Sequence, residues 1–322
     1  MDATSTVTNA AQTGGTGQQR PAVSIVVPCY NGGRFLDALM ASLARQTFRD
    51  FEVVLVDDGS TDDETRQKLA ALSERVHLIR QDNRGPSAAR NAGARAACAD
   101  ILFMLDCDDT IEPSFLADTV PLLQKAPAEI GMVVTYLRLV GGESGIVSRY
   151  FNRFDLLFTN TLSAGLVLRK SAFVAAGGYD ESMREGYEDW DFSLRMASAG
   201  FGCIAVKKPL YVYTIAGHDA APSRSSGVDT KRLYGPLWRA IRIRHPALYR
   251  PWAMVRLWAG SRDGSGRLPL WKGLMAYALA TVLPDALFNT LIARLHRGPR
   301  SDNPNPAYGA PAGAAADPVT QP

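Results

Sequence analysis

Ile101-Leu102-Phe103-Met104-Leu105-Asp106-Cys107-Asp108-Asp109 runs from five apolar residues directly into three carboxylates. An uninterrupted apolar run of that length reads as a strand buried on both faces, so the acids that follow emerge at its carboxyl end. Val53-Val54-Leu55-Val56 leads into Asp57-Asp58 in the same way, and Glu188-Asp189 supplies a third acidic pair. In open α/β sheets ligands bind at that edge. Clustered carboxylates repel one another, so their convergence suits a divalent cation, a nucleotide and a proton acceptor better than a purely structural purpose.

Working outward, the periodicity predicts strands at Val23 to Pro28, Phe51 to Val56, Val76 to Arg80 and Ile101 to Leu105. Between them it predicts helices at Arg34 to Gln46, Asp62 to Leu72 and Pro86 to Cys98. Such a βαβ series implies a mainly parallel sheet with right-handed crossovers. After Asp109 the rhythm loosens: Pro113 to Lys125 reads as helical, Met132 to Val140 and Leu162 to Leu168 as strands, and Asp189 to Ala199 as a helix.

At 322 residues and 46% hydrophobic, the chain can bury a full core. Cys29, Cys98, Cys107 and Cys203 form no CxxC pair and no zinc-like spacing, which predicts four packed thiols and no disulfide framework. Residues 1 to 20 and 301 to 322 read as disordered, and the first of these has no apolar core of a secretory signal. The net charge of +3 conceals an asymmetry. Residues 231 to 300 carry 13 Lys and Arg against two acids, and four of the five tryptophans: Trp238, Trp252, Trp258 and Trp271.

The loops carry the chemistry. Pro28-Cys29-Tyr30-Asn31-Gly32-Gly33 closes the first strand with a proline and a glycine pair, and Tyr30 can stack on a base. Asp58 can accept from a base N–H or a ribose hydroxyl, while a plain Asx turn with a helix cap accounts equally for Gly59 to Asp62. Asn83 offers hydrogen bonds. Arg90, one turn into its helix, can face a diphosphate, and Arg84 can equally be a surface arginine. Along a strand, Asp106 and Asp108 would point the same way and address one hard cation, Mg²⁺ or Mn²⁺, with Cys107 turned inward. There is no GxGxxG in the first turn, which argues against a dinucleotide-binding domain.

Five segments together resemble the successive motifs of family 2 glycosyltransferases with the GT-A fold. They are Val-Ser-Ile-Val-Val-Pro-Cys-Tyr-Asn (23 to 31), Val-Asp-Asp-Gly-Ser-Thr-Asp (56 to 62), Asn-Arg-Gly-Pro-Ser-Ala-Ala-Arg-Asn-Ala-Gly (83 to 93), Leu-Asp-Cys-Asp-Asp (105 to 109) and Gly-Tyr-Glu-Asp-Trp-Asp (186 to 191). The resemblance implies a GT-A nucleotide-sugar-binding domain over residues 21 to 225, a Rossmann-like half with a mixed sheet, followed by a basic helical extension over 226 to 300. It further implies that Pro28, Tyr30, Asp58, Asn83, Arg90 and Asp106 contact the donor. Asp108 would ligate the metal with Asp106 beside it, and Asp189 would be the catalytic base. His218, displaced from where similar enzymes carry a His or Arg, is either a third ligand or a loop histidine. The expected reaction is inverting, single transfer from a nucleotide-sugar, UDP-linked by family lean, to a glycan or lipid-linked acceptor, assisted by Mn²⁺ or Mg²⁺. The chain lacks the Q-x-x-R-W motif of processive synthases.

The basic, tryptophan-rich extension suits either a cap on the catalytic domain or a helix lying on an anionic membrane, since its apolar run Leu274 to Leu283 is too short to span a bilayer. The second reading predicts a cytoplasmic protein bound peripherally to the inner face of the plasma membrane, and no nucleic-acid partner is expected. Two rivals stand beside the glycosyltransferase reading. Asp106-Cys107-Asp108-Asp109-Thr110 also fits the D-x-D-x-T of haloacid-dehalogenase-like phosphatases, although that motif normally opens its fold on the first strand. A non-catalytic nucleotide-sugar-binding module is the other.

Overall fold

The computed structural model describes residues 20–142, 144–184, 186–215, 238–260, 268–284 and 287–288. The expected alternation is present as β1 (Val23–Cys29), α1 (Gly33–Ala44), β2 (Phe51–Asp57), α2 (Asp63–Leu72), β3 (His77–Arg80), α3 (Pro86–Ala96) and β4 (Ile101–Met104). β5 (Thr110–Ile111), α4 (Phe115–Lys125), β6 (Ile130–Gly141), β7 (Gly145–Val147), β8 (Val167–Arg169), α5 (Lys170–Ala175), α6 (Glu188–Ser198) and β9 (Gly202–Ile215) follow. Beyond them come helical residues 238–244 (α7), α8 (Pro251–Gly260) and α9 (Leu270–Val282).

The strands form one mixed sheet in the order β3-β2-β1-β4-β8-β6-β9-β5, with β7 on β6. β1 lies parallel to both β2 and β4, so the strand order reverses beside it. The loops leaving β1 and β4 therefore open toward the same crevice, where α/β sheets take up ligands. The apolar runs are buried on both faces. Ile25, Val53, Leu55 and Phe103 belong to one core layer with α1 and α4, whereas Val26, Val54, Leu102 and Met104 belong to the other with α3 and α6. α3 packs closely because its buried face is small: a Cβ on Gly93 would stand 2.4 Å from Val26 Cγ1.

Several expectations are corrected. The strand expected at Leu162 to Leu168 shrinks to Val167–Arg169, because Ala164 and Gly165 take positive φ of 53° and 54° and break the extended chain. β4 ends at Met104, and Asp109 N donates to Asp106 O at 3.1 Å, so Asp106 to Asp109 form a turn and strand alternation does not govern their side chains. Cys98 is exposed and is not a packed thiol. α5, β5 and β7, all short, carry no periodic signal long enough to read.

The C-terminal helices cap the catalytic layer. Trp238, Ile241, Tyr249, Met254, Ala280 and Phe288 share a third core cluster with Phe154, Leu157, Phe158, Trp190 and Leu194. Trp238 Nε1 and Tyr249 Oη both donate to Leu157 O at 2.6 Å. His245 Nε2 lies 2.9 Å from Asp191 Oδ1 on α6, and Arg244 pairs with Asp180. Of the four tryptophans, Trp238 is buried while Trp252 and Trp271 are 57% and 59% exposed. Residues 1 to 19, His218 and the tail 301 to 322 lie outside the described residues.

Candidate active site

The loop after β2 is built by its own acids. Asp57 Oδ1 accepts from Ser60 N at 2.9 Å, and Asp62 caps α2 by accepting from Thr65 N at 2.7 Å, which is the Asx-turn-and-cap arrangement. Gly59 has φ +74°, and a Cβ there would meet Asn83 N at 2.8 Å. Asn31 joins this loop to the one after β1: its backbone N–H donates to Ser60 Oγ at 3.1 Å and its Oδ1 accepts from Thr61 N at 2.7 Å. Pro28 is half-buried at the end of β1, and Tyr30 presents its ring at 44% exposure.

Asp58 is buried, and both of its oxygens are engaged. Oδ1 accepts from Gln81 Nε2 at 2.7 Å and Arg84 N at 2.9 Å, and Oδ2 accepts from Gly85 N at 2.8 Å. The carboxylate thus shapes the turn that opens α3 and leaves Asn83 exposed at its tip. Arg84 is an exposed arginine paired with Glu181 at 2.7 Å.

Arg90 is the junction. Its Nη2 donates to Asp106 Oδ1 at 2.6 Å, its Nη1 to Glu188 Oε1 at 2.9 Å, and its guanidinium lies 5.2 Å from the Tyr179 ring centroid. Burial opposes the charge, but Asp106 and Glu188 outweigh it and hold the guanidinium more firmly protonated than usual. One planar fork therefore ties the turn after β4 to the first residue of α6.

The remaining carboxylates divide by environment. Asp109 is buried and belongs to the scaffold: Tyr211 Oη donates to it at 2.6 Å and Thr214 N at 2.8 Å, fixing β5 to β9. Burial, then Asp108 and Asp106, push its carboxyl well above the usual range. Asp108 is raised to about 6 by burial and by Asp106, with Arg90 and Arg34 pulling the other way. Asp189, in the first turn of α6, is also raised to about 6, by burial and by Glu188. Asn160 Nδ2 donates to Asp189 Oδ2 at 2.9 Å, and Trp190 N donates to Oδ1 at 2.8 Å. The entry to that helix is strained, because Tyr187 has φ +62°. Asn31, Ala164 and Tyr187 are the non-glycine residues of positive φ among those described, and all three stand in loops around this crevice.

Asp106, Asp108, Glu188 and Asp189 are thus collected around one arginine. Among the described residues no three His, Cys, Asp or Glu side chains enclose a metal by themselves. Asp108, a desolvated carboxylate beside a second acid, nevertheless fits a hard cation whose shell is completed by phosphate oxygens and water. Glu188, Asn160, Tyr179 and Gln81 join the site without having been singled out by sequence. Only Glu188 had a signal, as the first acid of its pair.

Residues 24–164 match the family model described as Glycosyl transferase family 2. The protein EpsH of Bacillus subtilis is 28% identical over 215 residues, covering 61% of this chain and 62% of EpsH. The chondroitin synthase of Escherichia coli is 29% identical over 188 residues, covering 56% of this chain and 27% of that protein. The chain thus spans less than two thirds of either relative. Among solved structures, S. aureus TarS 1-349 in complex with UDP-GlcNAc superposes with a TM-score of 0.58 at 21% identity, covering 80% of this chain and 81% of that chain. The mannosyltransferase PcManGT of Pyrobaculum calidifontis, in complex with GDP-Man and Mn²⁺, gives 0.53 at 22% identity, covering 86% of each. These likenesses show the fold, and the family match together with the named relatives supports a family 2 glycosyltransferase over the phosphatase reading.

Asp58→Asn puts an NH₂ group against backbone donors and is expected to cost about 1–3 kcal/mol. Urea unfolding measures it, and unchanged stability would mean that the loop does not depend on this carboxylate.

Proposed function

We propose that the chain transfers a single sugar from a nucleotide-sugar donor, probed first as UDP-linked, to an acceptor hydroxyl with inversion, in the making of a cell-envelope glycan or polysaccharide. The observation that carries this reading is the pairing of two differently placed acids, Asp108 beside Asp106 and Asp189 on α6, through Arg90. The matched family model and the relatives named as glycosyltransferases support the reaction class.

An acceptor hydroxyl is a weak nucleophile, so a carboxylate must take its proton as the oxygen attacks the anomeric carbon. Asp189 is assigned that role, its carboxylate kept basic by burial and by Glu188. Pro28, Tyr30, Asp58 and Asn83 are assigned to the nucleotide, and Asp106 to the ribose. Arg90 holds Asp106 in place while facing the diphosphate. Asp108, with Asp106, would hold Mn²⁺ or Mg²⁺, which when bound neutralises charge on the departing diphosphate. Attack from the face opposite the leaving group gives inversion.

The cap is assigned a second task, peripheral attachment to an anionic membrane. No helix among the described residues is long and apolar enough to cross one. Trp252 and Trp271 are exposed, each beneath a cation, Arg256 and Lys272, a pairing suited to the headgroup layer.

Two experiments test these assignments. A panel of UDP- and GDP-sugars with Mn²⁺ reads donor binding and slow hydrolysis. Asp108→Asn is expected to weaken metal-dependent donor binding at least about tenfold, a loss of ~1.4 kcal/mol. Asp189→Asn is expected to bind donor normally and lose transfer by about 100-fold or more. Because the base works ionised, the wild-type rate should climb as pH rises through about 6. Full transfer by Asp189→Asn would defeat the mechanism. Flotation with anionic liposomes tests the membrane role: wild type should float and the Trp252→Ser, Trp271→Ser double variant should not, and wild type left at the bottom of the gradient sinks it.

A further inference from the structure

Asp189 does not stand alone at the start of α6. Its Oδ2 receives the Asn160 amide at 2.9 Å, while Asn160 Oδ1 accepts from Leu162 N at 3.4 Å. That second bond fixes which end of the amide faces the carboxylate, since only the NH₂ can donate to it. Nearby, Trp190 Nε1 donates to Leu156 O at 2.7 Å, so two adjacent residues of α6 grip the same loop. The loop is braced from behind by Trp238 and Tyr249, both bonded to Leu157 O, and at its far end by Arg149 Nη2, which donates to Ala164 O at 2.7 Å.

A carboxylate that must accept a proton from a positioned hydroxyl needs one rotamer and an oxygen left free to receive it. Trp190 N holds one oxygen through a bond within the helix's first turn, and Asn160 holds the other from outside the helix. We propose that Asn160 is the positioning residue of the base, acting through Asp189, and that the C-terminal cap contributes to catalysis by bracing the loop that carries it. This rests on the assignment of Asp189 as base.

The other charged or titratable groups facing Asp189 are Glu188 on α6, which opposes its ionisation, and Arg90 on α3, which favours it. Tyr179, Tyr213 and Arg149 stand further round the same carboxylate. Asn160 is the neutral donor among them and favours the ionised form. Removing it withdraws that support, so the base should require a higher pH to ionise. Asn160→Asp, nearly isosteric, places a second anion there and should move the limb further in the same direction.

The test measures hydrolysis of the UDP- and GDP-sugar panel with Mn²⁺, as released nucleoside diphosphate against pH, for wild type, Asn160→Ala, Asn160→Asp and Asp189→Asn. Asn160→Ala is expected to lower kcat by about 10- to 100-fold, the scale of a misplaced reacting group, with donor KM unchanged and the acid limb moved upward. An unmoved limb with normal kcat, or a change in KM alone, overturns the proposal. Asn160→Asp serves the same reading if the alanine variant fails to fold. Full activity in Asp189→Asn would instead bring down the base assignment. An inactive Asp189→Asn beside a normal Asn160→Ala brings down only the role of Asn160.

Discussion

The arrangement of the crevice depends on one buried guanidinium. Arg90 is reached by packing: Ala88, Ala89, Gly93 and Ala94 line the inner face of α3, and small side chains let the helix sit close to β1 and β2. From that seat the fork spans from Asp106 to Glu188, residues separated by 82 positions in the chain. Removing one partner from such a pair leaves buried charge uncompensated, typically at a cost of about 3–5 kcal/mol. The bridge is therefore a structural constraint as well as a chemical one. It sets how far the turn after β4 stands from the N-terminus of α6.

Around that bridge the acids are sorted by what satisfies them. Asp57, Asp58, Asp62 and Asp109 are consumed by backbone N–H groups or the Tyr211 hydroxyl, and they build loops. Asp106 and Glu188 are neutralised by Arg90. Asp108 and Asp189 are left raised to about 6, each by burial plus one neighbouring acid. Unrelieved negative charge at one place invites a cation, and at the other an acceptor's proton. Two carboxylates at similar pKa thus take different tasks because their neighbours differ.

Much of this was legible in the sequence, for identifiable reasons. Strands buried on both faces announce themselves as apolar runs, so β1, β2 and β4 and the acids behind them were readable to within a residue or two. What was not readable depends on contacts across the fold. Arg90 could be placed near a diphosphate, yet nothing local names Asp106 and Glu188 as its partners. Asn160 lies 29 residues from Asp189 in a loop without periodicity. Asp106 to Asp109 looked like the continuation of a strand and is a turn, because a turn of acids and a strand end share the same letters. In the basic extension, composition alone could not separate Trp238, which is core, from Trp252 and Trp271, which are surface.

The central claim is that one forked cation holds the donor-side and acceptor-side acids in a single working geometry. Arg90→Lys tests it most directly, because it keeps the charge and loses the fork. In a folded variant, verified by circular dichroism, nucleotide-sugar affinity in the presence of Mn²⁺ and transfer rate are measured together. Both should fall by about tenfold or more, each at least ~1.4 kcal/mol. Wild-type affinity and wild-type transfer in that variant would contradict the account.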